Sequence, residues 1–271
     1  YILTNKRRFH DDYFSLFGQI EAGVNGKKWA DLFFVGVSYD KVDKDIQTGA
    51  MQNKVYGDAS RNSNSFNIYA RYAKKWGAVS TRLNFSHTWE ESETIDTTFR
   101  KYSWDGTWMP SSGNEINNGR KSIRVYKRPL TVFNSGVDYC IDEHNTVALN
   151  YMLNRRGNER SDKYDKLFEP SDDIVTKHIL SFTYSQSFFN QRWQNSFFVK
   201  DYINSLSIGQ TDDASITGSN NIDRHNTQSY WGAGIGTRYT IWETLAIKGS
   251  YEHSVRLPLS RELLGNGTTI Y

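Results

Sequence analysis

The feature that most restricts the fold is an apolar–polar alternation of period two, recurring along the whole chain and cut by gaps that are short and long in turn. Residues 13–22 put Phe14, Leu16, Ile20 and Ala22 on one face and Ser15, Gln19 and Glu21 on the other. Asn25-Gly26 supplies a tight turn, because both residues tolerate the positive φ of hairpin turns, and 29–40 returns with Phe33, Val35, Val37 and Tyr39 against Gly36, Ser38 and Asp40. The same hairpin recurs at 65–89, around Lys75-Trp76-Gly77, at 133–153, around Asp142 to Asn145, at 180–203, around Asn190-Gln191, and at 231–253, around Trp242 to Thr244. The ten runs predict ten antiparallel strands, neighbours in chain order. Faces are ambiguous only in the run from Trp193, where Phe197 and Phe198 are adjacent. No segment of useful length shows a 3.6 period, so helices should be few.

The gaps carry as much information as the strands. Those at 43–62, 91–128, 156–174 and 206–227 are long for loops of a soluble sandwich. They suit a transmembrane barrel, which has short turns on one side, long loops on the other, and strands of about 9 to 11 residues. Composition agrees: 37% of residues are hydrophobic and 15% aromatic, too aromatic for a disordered chain. No run reaches the ~18 apolar residues of a helical span. Trp29, Trp76, Trp89, Tyr139, Trp193 and Trp242 stand near strand ends, where barrels carry aromatic girdles. Alternation also fixes facing: Leu83 and Phe85 on the lipid side, Arg82 and Asn84 on the lumen side.

Chemistry-bearing motifs are scarce. A net charge of +3 with interspersed signs gives no support to nucleic-acid binding. Cys140 is the only cysteine, so neither an internal disulfide nor a thiolate metal site is expected. The histidines at 10, 87, 144, 178, 225 and 253 lack metal-ligand spacing, and Asp40, Asp43 and Asp45 lack the glycine and glutamate of a calcium loop. No nucleophile elbow, phosphate loop or carboxylate pair is present, so neither an enzyme nor a cofactor is expected. Gly232, Gly234 and Gly236 are lumen-facing glycines that leave room for packing or bending, since the third glycine of a dinucleotide loop is replaced by Thr237. The basic stretch 119–128 reads as a strand projecting beyond the membrane. Tyr102, Trp104 and Trp108, in the longest gap, are the candidate substrate-binding residues: aromatics in a polar loop either stack on a ligand or pack the loop onto itself.

The segment 248–267, KGSYEHSVRLPLSRELLGNG, resembles a signature of TonB-dependent outer-membrane transporters, a strand running into R-x-P-x-x-x-E-L-x-G. The matching positions are Tyr251, Arg256, Pro258, Glu262, Leu263 and Gly265, and GAGIGTRYTIWETLAIKGSYE before them is also similar to that family. The nearest wording is that of Bacteroidota members, which have Thr and Phe where Leu259 and Leu264 stand. The resemblance implies a barrel of about 22 strands with a plugged lumen, of which this chain would supply ten as a mature, truncated or excised piece without plug or TonB box. It further implies outer-membrane localisation and energy-coupled import of a scarce nutrient such as a siderophore, cobalamin or oligosaccharide. Implied partners are the TonB complex acting through the plug, outer-membrane lipid and lipopolysaccharide, and a surface lipoprotein. A passive porin or a structural barrel for assembly or adhesion is the alternative. For Arg256, Pro258 and Glu262 the expectation is structural: Pro258 ends the last strand, and Arg256 pairs with Glu262 or with lumen groups.

Overall fold

A computed structural model describes residues 6–49, 52–166, 168, 170–210, 224–258 and 262–263. In chain order its strands are β1 (Tyr13–Asn25), β2 (Leu32–Asp45), β3 (Ser60–Trp76), β4 (Val79–Asp96), β5 (Arg100–Tyr102), β6 (Trp108–Pro110) and β7 (Ser122–Lys127). They continue with β8 (Leu130–Cys140), β9 (Asn145–Asp162), β10 (Ser171–Phe188), β11 (Trp193–Gln210), β12 (Arg224–Trp242) and β13 (Leu245–His253). Eleven of them form one antiparallel sheet in chain order from β1 to β13, while β5 and β6 make a separate hairpin. The ten strands expected from the alternation are all present, as the ten strands outside β5, β6 and β7.

The three additional strands arise in the longest gap. β4 pairs with β8 from Val79 to Thr88 and with β7 from Glu91 to Asp96. β7 and β8 are therefore two halves of one track, split at Arg128-Pro129. Proline has no N–H for the ladder, and the break is bridged by Arg128 N–H to Glu90 O and Gly157 N–H to Pro129 O. Gly157 gives this break room, since a Cβ there would meet Pro129 Cγ at 2.8 Å and force a shift. The basic stretch thus becomes a strand, as expected.

The strands outrun the alternation that reveals them. β4, β9, β10 and β11 each have 18 residues, against the 9 to 11 or so that a membrane requires. Away from the short turns, stretches such as Ser60–Ser65 of β3 and Glu90–Thr94 of β4 are polar on both faces, so the ladder continues where the apolar signal stops. Short turns join the other ends. Gly26 and Gly77 adopt φ of 63° and 54°, and Phe189, Asn190 and Gln191 adopt 53°, 53° and 66°.

The sheet has two unlike faces. Register aligns Ile20, Val37, Ile68 and His87 in one row and Val35, Ala70, Phe85, Phe133 and Leu153 in another, and carries the apolar face on through Phe182, Val199 and Ala233. Of these, Ile20, Val35, Val37, Phe85, Phe182 and Val199 are open to the surroundings, from 37% exposure for Phe85 to 74% for Ile20, and Ile68, Phe133 and Leu153 are half-buried, whereas Ala30, Tyr56, Ala59, Val175 and Tyr202 are the buried apolar residues among those described. The opposite face is polar and self-paired: Arg71 to Glu21, Arg82 to Asp138 and Lys200 to Glu252, each at 2.7 Å. Phe197 lies on the apolar face. Phe198 lies on the polar one, in the space Gly234 leaves, where a Cβ would meet its ring at 2.4 Å. Gly234 is thus filled by a neighbour, while nothing comes within 4 Å of a Cβ at Gly236.

Candidate functional site

Beyond the long ends of β2, β3 and β4, residues 46–49 and 52–59 fold together with segment 97–121 into a cap, and buried polar side chains hold it. Gln47 accepts the N–H groups of Phe9 and His10 at 2.9 and 2.8 Å and donates to Tyr56 O at 3.0 Å. Asp96, at the tip of β4, accepts from Glu115 N and Ile116 N at 2.9 and 3.0 Å. Glu115 in turn accepts from Gly57, Asp58 and Ala59 N–H at 3.0, 3.1 and 2.8 Å. Asn114 closes the 114–119 turn through Gly119 N and Arg120 O. Each group answers a backbone donor or acceptor that would otherwise be orphaned away from water.

Burial sets the electrostatics of the cap. It pushes the carboxyls of Asp96 and Glu115 above the ordinary carboxylate range, against the pull of the N–H groups they accept. It also raises the phenols of Tyr56 and Tyr102. A cavity of about 500 Å³ opens beside this framework, lined among others by Lys54, Arg100, Lys101, Tyr102, Trp104 and Asn114.

The three expected substrate-binding aromatics sit in three different surroundings. Tyr102 packs the cap: its hydroxyl donates to Asp58 Oδ2 at 2.7 Å, and its ring occupies the space over Gly57, where a Cβ would meet it at 2.5 Å. Trp108 is 51% exposed and carries the Arg100 guanidinium over its ring at 4.3 Å. Trp104 lines the cavity at 36% exposure. Gln47, Asp96, Asn114 and Glu115 escape sequence reasoning, because in a polar loop they look like any solvated side chain.

The family-type element lies elsewhere. Tyr251 is an exposed residue of β13, opposite Ile235. β13 ends at His253, five residues before Pro258, so Pro258 does not end the ladder as expected; pairing with β12 stops first, at Ala233–His253. The segment after it turns over the polar face. Gly232 faces His253 O and Ser254, and Lys177 of β10 donates to Pro258 O. Arg256 and Glu262 form an ion pair, as the expectation allowed. Of the last two motif positions, Leu263 is half-buried and Gly265 lies outside the described residues. Among the described residues no three His, Cys, Asp or Glu side chains converge on a metal site, and Cys140 is exposed. No protein-family model matches the chain, and no curated protein matches it either.

Proposed function

We propose that this chain is part of an outer-membrane β-barrel of the TonB-dependent transporter type, taking up a scarce nutrient such as a siderophore, cobalamin or an oligosaccharide. The observation that carries the reading is the sheet's apolar face, where residues such as Ile20, Val35, Leu149, Phe182, Val199 and Tyr251 lie open while the opposite face pairs its charges internally. In water so large an apolar surface would be covered or would aggregate. In a bilayer it is the surface that contacts lipid, with the polar face lining a lumen. Trp76, Trp193 and Trp242 at the short-turn end agree with an interfacial girdle, and the cap at the far end is placed for loops that meet solutes first.

The wording of 248–267 favours energy-coupled transport over a passive porin, which would share the two-faced sheet. Trp104 and the cavity beside it are the contact surface this reading assigns to the nutrient. Uptake of labelled siderophore, cobalamin and oligosaccharide by cells carrying the full-length protein, with and without a protonophore, tests it. Uptake of one of them that the protonophore abolishes is expected. Protonophore-insensitive leakage of all three would establish a pore and sink the transporter reading.

A further inference from the structure

On the polar face, near the short turns, Arg238 of β12 and Lys248 of β13 are direct cross-strand partners. Directly opposed side chains of an antiparallel pair stand about 5 Å apart at Cβ, and like charges there repel. Elsewhere on this wall Arg71, Arg82 and Lys200 each hold a carboxylate. Arg238 and Lys248 hold none among the described residues. The nearest acid along β13, Glu252, already binds Lys200 and lies four residues away, about 13 Å.

The surroundings are shaped for an acceptor. One cross-strand row runs Ser185, Ser196, Gly236 and Ser250, and the next runs Ser187, Gln194, Arg238 and Lys248, across β10, β11, β12 and β13. Together they floor a cavity of about 630 Å³. Gly236 leaves its centre clear, since a Cβ there would meet nothing within 4 Å. Small hydroxyls and side-chain amides such as Gln194 supply donors, and the two cations close one side. The single acid on the rim is Glu143, in the β8–β9 turn, which makes no ion pair with either cation.

We propose that this cradle binds a carboxylate, with Arg238 and Lys248 as its counter-charges and the row of Ser196 and Ser250 as neutral donors. The carboxylate belongs either to a small free acid or to an acidic side chain that the full-length protein presents to this wall. The inference rests on the sheet's pairing and not on the transport reading, so it stands or falls separately.

The sign of a mutational effect tests it. Without a bound anion, Arg238→Gln or Lys248→Gln relieves repulsion and leaves Tm unchanged or raised; with one, the same changes remove a counter-charge and lower it. Thermal unfolding of the full-length protein in detergent would be followed in chloride and in citrate at matched ionic strength. If the protein supplies the carboxylate, both variants lose roughly 2 °C or more in chloride and citrate adds nothing to the parent. If a free acid binds, citrate raises the parent's Tm by a similar amount and neither variant responds. Variants at or above the parent's Tm in chloride, with no citrate response in any protein, would overturn the proposal.

Discussion

Asp96 and Glu115 are joined in series: the carboxylate of Asp96 holds the backbone N–H of Glu115, and the carboxylate of Glu115 holds three N–H groups of segment 57–59. Two side chains thereby tie β4, the 97–121 segment and residues 52–59 into one cap. Replacing Glu115 with Ala leaves three donors without their acceptor, at a cost of about 1–3 kcal/mol to the cap. Hydrogen exchange at Gly57, Asp58 and Ala59 should rise by roughly tenfold or more in Glu115→Ala, while exchange in β9 to β11 stays as it was. Unchanged protection at 57–59 would count against the tie.

The same carboxyls give the cap a pH dependence of definite sign. Burial raises both above their unfolded values, with Asp58 reinforcing the rise at Glu115 and Arg124 opposing it at Asp96. The folded cap therefore binds more protons than the open one. Its extra stability is full below the unfolded carboxylate value and is lost as pH climbs through the raised folded values. Exchange within 97–121 should be slower in mild acid than at neutral pH, after correction for intrinsic rates. Glu115→Gln, which cannot titrate, should flatten that dependence; a slope of equal size in the variant would place the titration elsewhere.

The ladder was legible in the sequence only where it had two unlike faces. Leu83 and Phe85 announce their strand because polar neighbours flank them, whereas Ser60–Ser65 and Glu90–Thr94 pair just as regularly and announce nothing. The hairpin of β5 and β6, three residues a side, is too short for any period to register. The cap was illegible for another reason. Glu115 finds its donors 56 to 58 residues away, a distance at which the sequence says only that an acid sits among asparagines and glycines. Tyr102, Trp104 and Trp108 were found as a group because aromatics stand out in polar surroundings. Their different fates depend on Gly57, Asp58 and Arg100, which composition does not link to them.

Glycines on the polar wall let long side chains lie flat across neighbouring strands. Phe34 lies over Gly23, where a Cβ would meet its ring at 2.5 Å and Phe33 O at 2.3 Å, and the Arg71 guanidinium sits 5.4 Å above Phe34 on its way to Glu21. Removing the exposed ion pair with Glu21→Gln should cost less than about 1 kcal/mol. Gly23→Ala must shift backbone as well as ring and should cost more, about 1–3 kcal/mol. Thermal unfolding of the two variants in the full-length protein gives the comparison, and an equal or smaller loss for Gly23→Ala would refute the packing argument.

Facing can be tested at two adjacent residues of β4. Phe85 lies on the apolar face, paired with Ala70 and Phe133, while Asn84 lies on the polar face between Arg71 and Asn134. If the apolar face meets lipid, Lys at 85 must bring its charge into hydrocarbon or reach for the interface, at about 2–4 kcal/mol near the midplane. Lys at 84 meets water and polar neighbours, with Arg71 already occupied by Glu21. Phe85→Lys should therefore reduce the folded, membrane-inserted fraction severalfold, read as heat-modifiable migration of outer-membrane extracts, and Asn84→Lys should leave it near the parent level. Equal tolerance of both substitutions would be incompatible with a lipid-facing β4, and with it the barrel reading would fall.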